Sequence, residues 1–112
     1  MLTRHPIRWP DVPLASRRIA DEVERIGFGR ILCQLDADLQ PKWSPPPRVK
    51  RGRNIRRPEV GAAPPRDLDA IPRGEFLVML DVFASGEPGD WVNIIVQDRL
   101  PVHVEIDEWA KS

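Results

Sequence analysis

WVNIIVQDRLPVHVEID, residues 91–107, is the stretch that decides the fold of this 112-residue chain. In both halves, the apolar side chains that share a face recur at every second position: Val92, Ile94, Val96, and then Val102, Val104, Ile106. A period of two predicts two half-buried strands. The short link Asp98–Pro101 predicts that they form an antiparallel hairpin. Pro101 has no backbone N–H, which places the last strand at the edge of a sheet.

Two earlier stretches are predicted to complete this sheet. In RILCQLD, residues 30–36, the side chains of Ile31, Cys33 and Leu35 lie on one face and alternate with Arg30, Leu32 and Gln34, as in a strand. In EFLVMLDVFA, residues 75–84, apolar residues fall on both faces, which is typical of a central strand. The sequence therefore predicts about four strands.

A single helix is predicted ahead of the sheet, over residues 13–26. Ala15, Ile19, Val23 and Ile26 line one helical face, and Gly27 supplies a left-handed C-cap. We expect the core to combine this face with the strands, in the set Ile19, Val23, Val78, Leu80, Val92, Ile94, Val104 and Ile106. The predicted class is α+β, with one N-terminal helix packed on a small, mostly antiparallel sheet.

The chain divides into four parts on this interpretation. Residues 1–12 are an extended N-terminal arm, and residues 13–39 hold the helix and the first strand. Residues 40–73 are a basic, Pro-rich arm or loop with no hydrophobic period, and residues 74–112 are the three-stranded remainder of one domain. A loop of this length inside a compact domain is unusual and points to function or disorder.

Charge is separated along the chain although the net charge is zero. Residues 41–66 carry eight Lys/Arg against Glu59 alone, and residues 67–112 carry three basic against ten acidic residues. The segment SPPPRVKRGRNIRRPE, residues 44–59, holds six of those cations and four prolines. Because Trp and Arg dominate interface energetics, the predicted partner-binding residues are Trp9, Lys42, Trp43, Arg48, Lys50, Arg51, Arg53, Arg56 and Arg57.

Three uses of the basic arm remain open from sequence. It could follow a nucleic-acid backbone, with Trp43 stacking on a base; it could dock on an acidic protein surface; or it could be a solvated tether. We favour docking, because the acidic C-terminal half repels phosphate and complements the arm. The predicted function is a non-enzymatic structural or accessory component of a larger assembly, such as a phage particle, whose partners are proteins and could include copies of itself.

Two alternatives are kept beside this prediction. The first is a nucleic-acid-binding accessory protein that uses the same arm. The second is a phage-encoded inhibitor that presents an acidic surface, including Glu105, Asp107 and Glu108, to a host protein. The Arg-, Pro- and Ala-rich composition fits a bacterial or phage source.

Residues with catalytic or metal-binding potential are few, and each has a simpler interpretation. His103, Glu105 and Asp107 share one strand face, which alternation alone produces, so we predict a solvated face and no metal. Cys33 lies on the apolar face of its strand and has no nearby base, which predicts a buried thiol and not a nucleophile. Gly27-Phe28-Gly29 follows a helix, whereas phosphate loops precede one. We expect no catalytic site and no cofactor.

Three sequence features bear on the cellular location, and all favour the cell interior. The chain has no apolar run near the 18 residues or so of a membrane helix, and MLTRHPIRWP lacks the apolar core of a secretory signal. The single cysteine cannot form an internal disulfide. We therefore expect a cytoplasmic location or a place within a phage particle, and no membrane partner.

Overall fold

The computed structural model describes residues 8–53 and 72–107. In chain order these form a 3₁₀ turn at Trp9–Asp11, helix α1 at Leu14–Ile26, strand β1 at Gly29–Gln34, strand β2 at Arg48–Arg51, helix α2 at Gly74–Ser85, strand β3 at Trp91–Gln97 and strand β4 at Leu100–Asp107. No helix in these two ranges has the length and apolar character needed to cross a bilayer. The predicted α+β class is confirmed.

The four strands form one antiparallel sheet in the order β2-β1-β3-β4. Strands β3 and β4 make the predicted hairpin, with Asp98 and Arg99 in the left-handed conformation, at φ 51° and 63°. Ile95 pairs with His103 whereas Val96 pairs with Pro101, so the register shifts by one residue between them. This bulge lies beside the residue that cannot donate to the ladder, and β4 is an edge strand, as Pro101 predicts.

Helix α1 confirms the predicted amphipathic segment. Its buried residues recur at helical spacing, namely Ser16, Ile19, Ala20, Val23 and Ile26. The helix ends at Gly27, whose φ of 68° lies in the left-handed region that favours glycine. The Gly27 N–H donates to the Val23 carbonyl oxygen, and this satisfies one of the last carbonyls of the helix.

The predicted central strand over residues 75–84 is wrong, because this segment forms helix α2. Phe76, Met79 and Phe83 are buried at spacings of three and four residues, which is the period of a helix. Val78, which we expected in the core, is 62% exposed, and Leu80 is only partly buried against the core. The described residues therefore contain two α-helices, and α2 takes the place of one predicted strand.

The fourth strand comes instead from the basic segment, where we predicted a loop. Strand β2 pairs antiparallel with β1, from Gly29 opposite Arg51 to Leu32 opposite Arg48. The two backbones approach closely at Gly29, where a Cβ atom would overlap the Lys50 carbonyl oxygen. Glycine at this position therefore allows β2 to join the sheet, and Gly52 continues the pairing by donating to the Phe28 carbonyl oxygen at 2.8 Å.

The predicted extended N-terminal arm is also wrong where the structure describes it. Trp9–Asp11 is a 3₁₀ turn, and Trp9 is buried. Its ring meets Phe76 of α2 edge to face, with 5.4 Å between ring centres. Residues 1–7 of that arm lie outside the described residues. Trp9 therefore belongs to the core.

The core fills one side of the sheet. Ile31, Cys33 and Leu35 from the first strand region and Val92, Ile94 and Val96 from β3 are buried with the apolar faces of α1 and α2 in one cluster. Val104 and Ile106 of β4 pack against this cluster and are partly buried. Both helices therefore cover the same side, which we call the inner face.

Candidate interaction surface

The opposite side of the sheet, here the outer face, is where the structure brings charged and apolar side chains together. Alternation along each strand assigns to it the residues that lie out of phase with the buried ones. They are Arg48 and Lys50 on β2; Arg30, Leu32 and Gln34 on β1; Trp91, Asn93, Ile95 and Gln97 on β3; and His103, Glu105 and Asp107 on β4.

The strand register arranges these residues in three rows across the sheet. The first row runs Lys50, Arg30, Ile95, His103; the second runs Arg48, Leu32, Asn93, Glu105; and the third contains Gln34, Trp91 and Asp107. Directly paired residues in neighbouring strands lie about 4.5–5.5 Å apart at Cβ. The first two rows therefore run from the β2 edge to the β4 edge, and the third row runs from β1 to β4.

Charge on the outer face is separated by strand. All three cations, Arg30, Arg48 and Lys50, are exposed on β1 and β2, and the exposed carboxylates Glu105 and Asp107 are on β4. Arg30 and Lys50 are direct cross-strand partners, an arrangement of like charges that disfavours pairing. One edge of the face is thus cationic and the other is anionic.

An apolar strip separates the two charged edges. Leu32 and Ile95 are half-buried, and neither belongs to the core cluster on the inner face. Trp91 is 44% exposed although it is among the largest apolar residues of the chain. Within the described residues, both helices pack on the inner face, so the strip has no helix over it.

A cleft of about 160 Å³ lies at the β1 end of the third row, beside Gln34 and Trp91. Leu32 and Trp91 line it, together with Lys42, Arg48 and the three prolines Pro45–Pro47. The Lys42 N–H donates to the Gln34 carbonyl oxygen at 2.8 Å, which holds this part of the chain beside β1. The Pro-rich segment thus forms a wall at one side of the outer face.

The predicted partner-binding residues divide into three groups in the structure. Arg48, Lys50, Arg51 and Arg53 are exposed on or just after β2, and Lys42 is half-buried in the cleft wall. Trp9 and Trp43 are packed against the protein's own helices. Arg56 and Arg57 lie outside the described residues.

Trp43 contacts α1 in two ways. Its indole N–H donates to the Ala15 carbonyl oxygen at 2.9 Å, and the Arg18 guanidinium carbon lies 3.8 Å from the ring centre. The residue is partly buried against the core. It therefore positions the start of the basic segment and has little surface left for a base or a partner.

The residues considered for catalysis or metal binding have ordinary surroundings. His103 Nε2 lies 2.9 Å from Glu105 Oε1, and both side chains are more than half exposed. Among the described residues, no group of three His, Cys, Asp or Glu is arranged to hold a metal ion. Burial raises the pKa of the Cys33 thiol to about 12, so it stays protonated near neutral pH. Glu108, predicted for an acidic surface, lies outside the described residues.

Sequence reasoning missed Arg30, Leu32, Trp91 and Ile95 as members of an interaction surface. The alternation of apolar residues along β1 and β3 could have identified them, because each of the four lies between buried residues of its own strand and therefore on the opposite face. Comparisons of the chain with models of protein families, with curated proteins and with solved structures find no match.

Proposed function

We propose that this chain is a non-enzymatic interaction protein, a small component of a larger assembly, that docks on a protein partner through its outer face. The observation that carries the proposal is an apolar strip that lies between a cationic and an anionic edge and that neither helix of the described residues covers. Large apolar side chains left at a surface and rimmed by polar residues typically mark binding sites.

The separation of charge favours a protein partner over a nucleic acid. A phosphate backbone is uniformly anionic, so it would gain from Arg30, Arg48 and Lys50 but would be repelled by Glu105 and Asp107 on the same face. A protein surface can present both signs in register with the two edges. The outer face therefore fits a partner of mixed charge.

The apolar strip would supply most of the binding free energy. Trp and Arg are among the residue types most often found at energetic hot spots, and here Trp91 and Arg48 line the same cleft. Exposed charge pairs contribute little by themselves and mainly fix orientation and association rate. Trp91 is thus the expected anchor, with the charged edges setting register.

Affinity capture from a lysate of the source organism, followed by mass spectrometry, tests the proposal. Wild-type protein is compared with Trp91→Ala and Arg48→Glu on the outer face, and with Arg25→Glu as the matched control. Arg25 is exposed on α1, on the opposite side of the protein, and contacts only Glu22 among the described ion pairs. We expect the same protein partners with wild type and control, whether another protein or an untagged copy of this chain, and their loss with both outer-face variants.

Circular dichroism and thermal unfolding confirm that each variant is folded before capture. Nuclease treatment of the lysate and a mobility shift with random DNA and RNA at physiological salt run in parallel. Partners that persist with both outer-face variants would contradict docking through this face. Nucleic-acid binding at micromolar concentration that Arg48→Glu abolishes would instead favour the nucleic-acid-binding function.

A further inference from the structure

We infer that the partner on the outer face is a second copy of this chain, related by a two-fold axis that runs parallel to the strands. This inference rests on the proposed function and names the occupant of the same surface. It depends on the three rows described above, because they bring a cation of β2 opposite a carboxylate of β4 in only one of the two aligned two-fold orientations.

Two face-to-face arrangements of identical sheets have two-fold symmetry with aligned strands. When the axis lies perpendicular to the strands, β2 faces β2 and β4 faces β4, so cations meet cations and carboxylates meet carboxylates. When the axis lies parallel to the strands, between β1 and β3, β2 of one copy faces β4 of the other. Only the second arrangement brings opposite charges together.

The strand-parallel axis also keeps each row opposite itself. In the second row, Arg48 then faces Glu105 of the second copy, and symmetry forms this pair twice. On β1, Leu32 faces Asn93 of the second copy, and Trp91 and Ile95 of that copy lie on either side of Asn93 along β3, within diagonal reach of Leu32. In the first row, Lys50 faces His103 of the second copy, one alternation along β4 from Glu105, so the like-charged neighbours Arg30 and Lys50 come close to an anionic edge. Aligned sheets pack in this way with their strands crossing at about 30°.

The size of the outer face sets the strength of the expected dimer. The four strands hold 25 residues, and at about 3.4 Å per residue and about 4.8 Å between strands they give a flat area of about 400 Å² per copy. The total for two copies, about 800 Å², falls below the roughly 1,000 Å² of a stable specific interface and in the range of weak, transient contacts. We therefore expect a reversible dimer with a dissociation constant in the micromolar range.

Sedimentation equilibrium on the purified chain, from about 1 to 500 μM, tests the inference, because this range brackets a micromolar dissociation constant. Wild type should pass from monomer to dimer. Arg48→Glu and Glu105→Arg should each raise the dissociation constant by about tenfold or more, because each places like charges opposite one another at two symmetric points. Arg25→Glu and Asp81→Arg, matched charge reversals at exposed helix positions, should leave it unchanged.

Mixing the two interface variants gives the most specific test. A heterodimer of Arg48→Glu with Glu105→Arg has opposite charges at both symmetric points, whereas each variant alone has like charges at both. The mixture should therefore dimerise with near wild-type affinity although neither variant does so alone. No other occupant of the face predicts this rescue.

Three results would overturn the inference. The first is a wild-type protein that stays monomeric over the whole concentration range. This would occur if another part of the same chain covered the outer face, or if the face bound only a different protein. The second is a dimer that both reversals leave intact, and the third is a mixture that fails to associate while both variants are folded. If the purified chain stays monomeric but its lysate partners are still lost with Trp91→Ala, the proposed function stands and only the homodimer is wrong. The two proposals can therefore fail separately.

Discussion

The Arg18 guanidinium lies 3.8 Å from the centre of the Trp43 ring, and this contact joins the start of the basic segment to helix α1. The same indole donates its N–H to the Ala15 carbonyl oxygen at 2.9 Å. Trp43 precedes the three prolines and β2, so these two contacts fix the direction from which the cationic strand enters the sheet.

Disrupting this contact should destabilise the protein measurably. Trp43→Phe keeps an aromatic ring but loses the N–H donor, and it should lower the free energy of unfolding by about 0.5–1.5 kcal/mol. Arg18→Met should cost about 0.5–1 kcal/mol through loss of the cation–π contact. A double-mutant cycle of Arg18→Met with Trp43→Leu, measured by urea unfolding, should show coupling of the same order. Strict additivity would contradict the contact.

Gly29 should be indispensable for the attachment of β2. Its φ of 145° is unfavourable for other residues, and a Cβ atom would overlap the Lys50 carbonyl oxygen. Gly29→Ala should cost about 1–3 kcal/mol from the backbone alone and should accelerate amide hydrogen exchange at Gly52. Gly74→Ala is the matched control, because a Cβ there meets nothing within 4 Å at the start of α2. Equal effects of the two substitutions would contradict the close approach.

Alanine substitutions can distinguish the helix over Gly74–Ser85 from the predicted strand. In a strand, Phe76 and Val78 would share a face, whereas in α2 Phe76 is buried and Val78 is exposed. We expect Phe76→Ala to cost about 3–5 kcal/mol and Val78→Ala to change stability by less than about 0.5 kcal/mol. Thermal unfolding of the two variants measures this difference. Similar losses at both positions would favour the strand.

Alkaline pH should destabilise the protein through Cys33. Burial raises the pKa of this thiol from its ordinary value of 9.0 to about 12, so above pH 9 the unfolded chain loses a proton that the folded chain keeps. This contribution is complete below pH 9 and falls between pH 9 and pH 12, by about 1.4 kcal/mol per pH unit. The difference in free energy of unfolding between wild type and Cys33→Ala should shrink from pH 8 to pH 10. Parallel pH profiles would show that Cys33 does not titrate with unfolding.

Local periodicity predicted the elements whose faces differ clearly in polarity. Helix α1 and the hairpin of β3 and β4 were predicted correctly. The exception is Val102, which was expected on the face of Val104 and Ile106 but is 49% exposed, because the register shifts by one residue there. In α2, the run Phe76–Leu80 is apolar at every position, so neither period stands out. Phe76, Met79 and Phe83 nevertheless recur at spacings of three and four residues, which is a helical pattern. This pattern could have favoured a helix over a strand.

Strand β2 could not be predicted from its own residues. Val49 is its only apolar member, and β propensity depends on the neighbouring strand more than on the segment itself. The predictions for the two tryptophans assigned to partner binding, Trp9 and Trp43, failed for a similar reason. Both lie near prolines in segments with no hydrophobic period. In the structure Trp9 contacts Phe76 of α2, and Trp43 contacts Ala15 and Arg18 of α1, all distant in sequence. Such contacts depend on tertiary packing.

The two edges of the sheet restrict how copies of this protein can combine. At one edge, β4 carries Pro101 and a bulge; at the other, β2 is four residues long and three of them are cationic. Both features obstruct the addition of a further strand. Edge-to-edge growth has no end point and produces fibres, whereas packing about a two-fold axis closes after two copies. The sheet is therefore built to resist unlimited polymerisation, and the association that we propose for its face ends at a fixed stoichiometry.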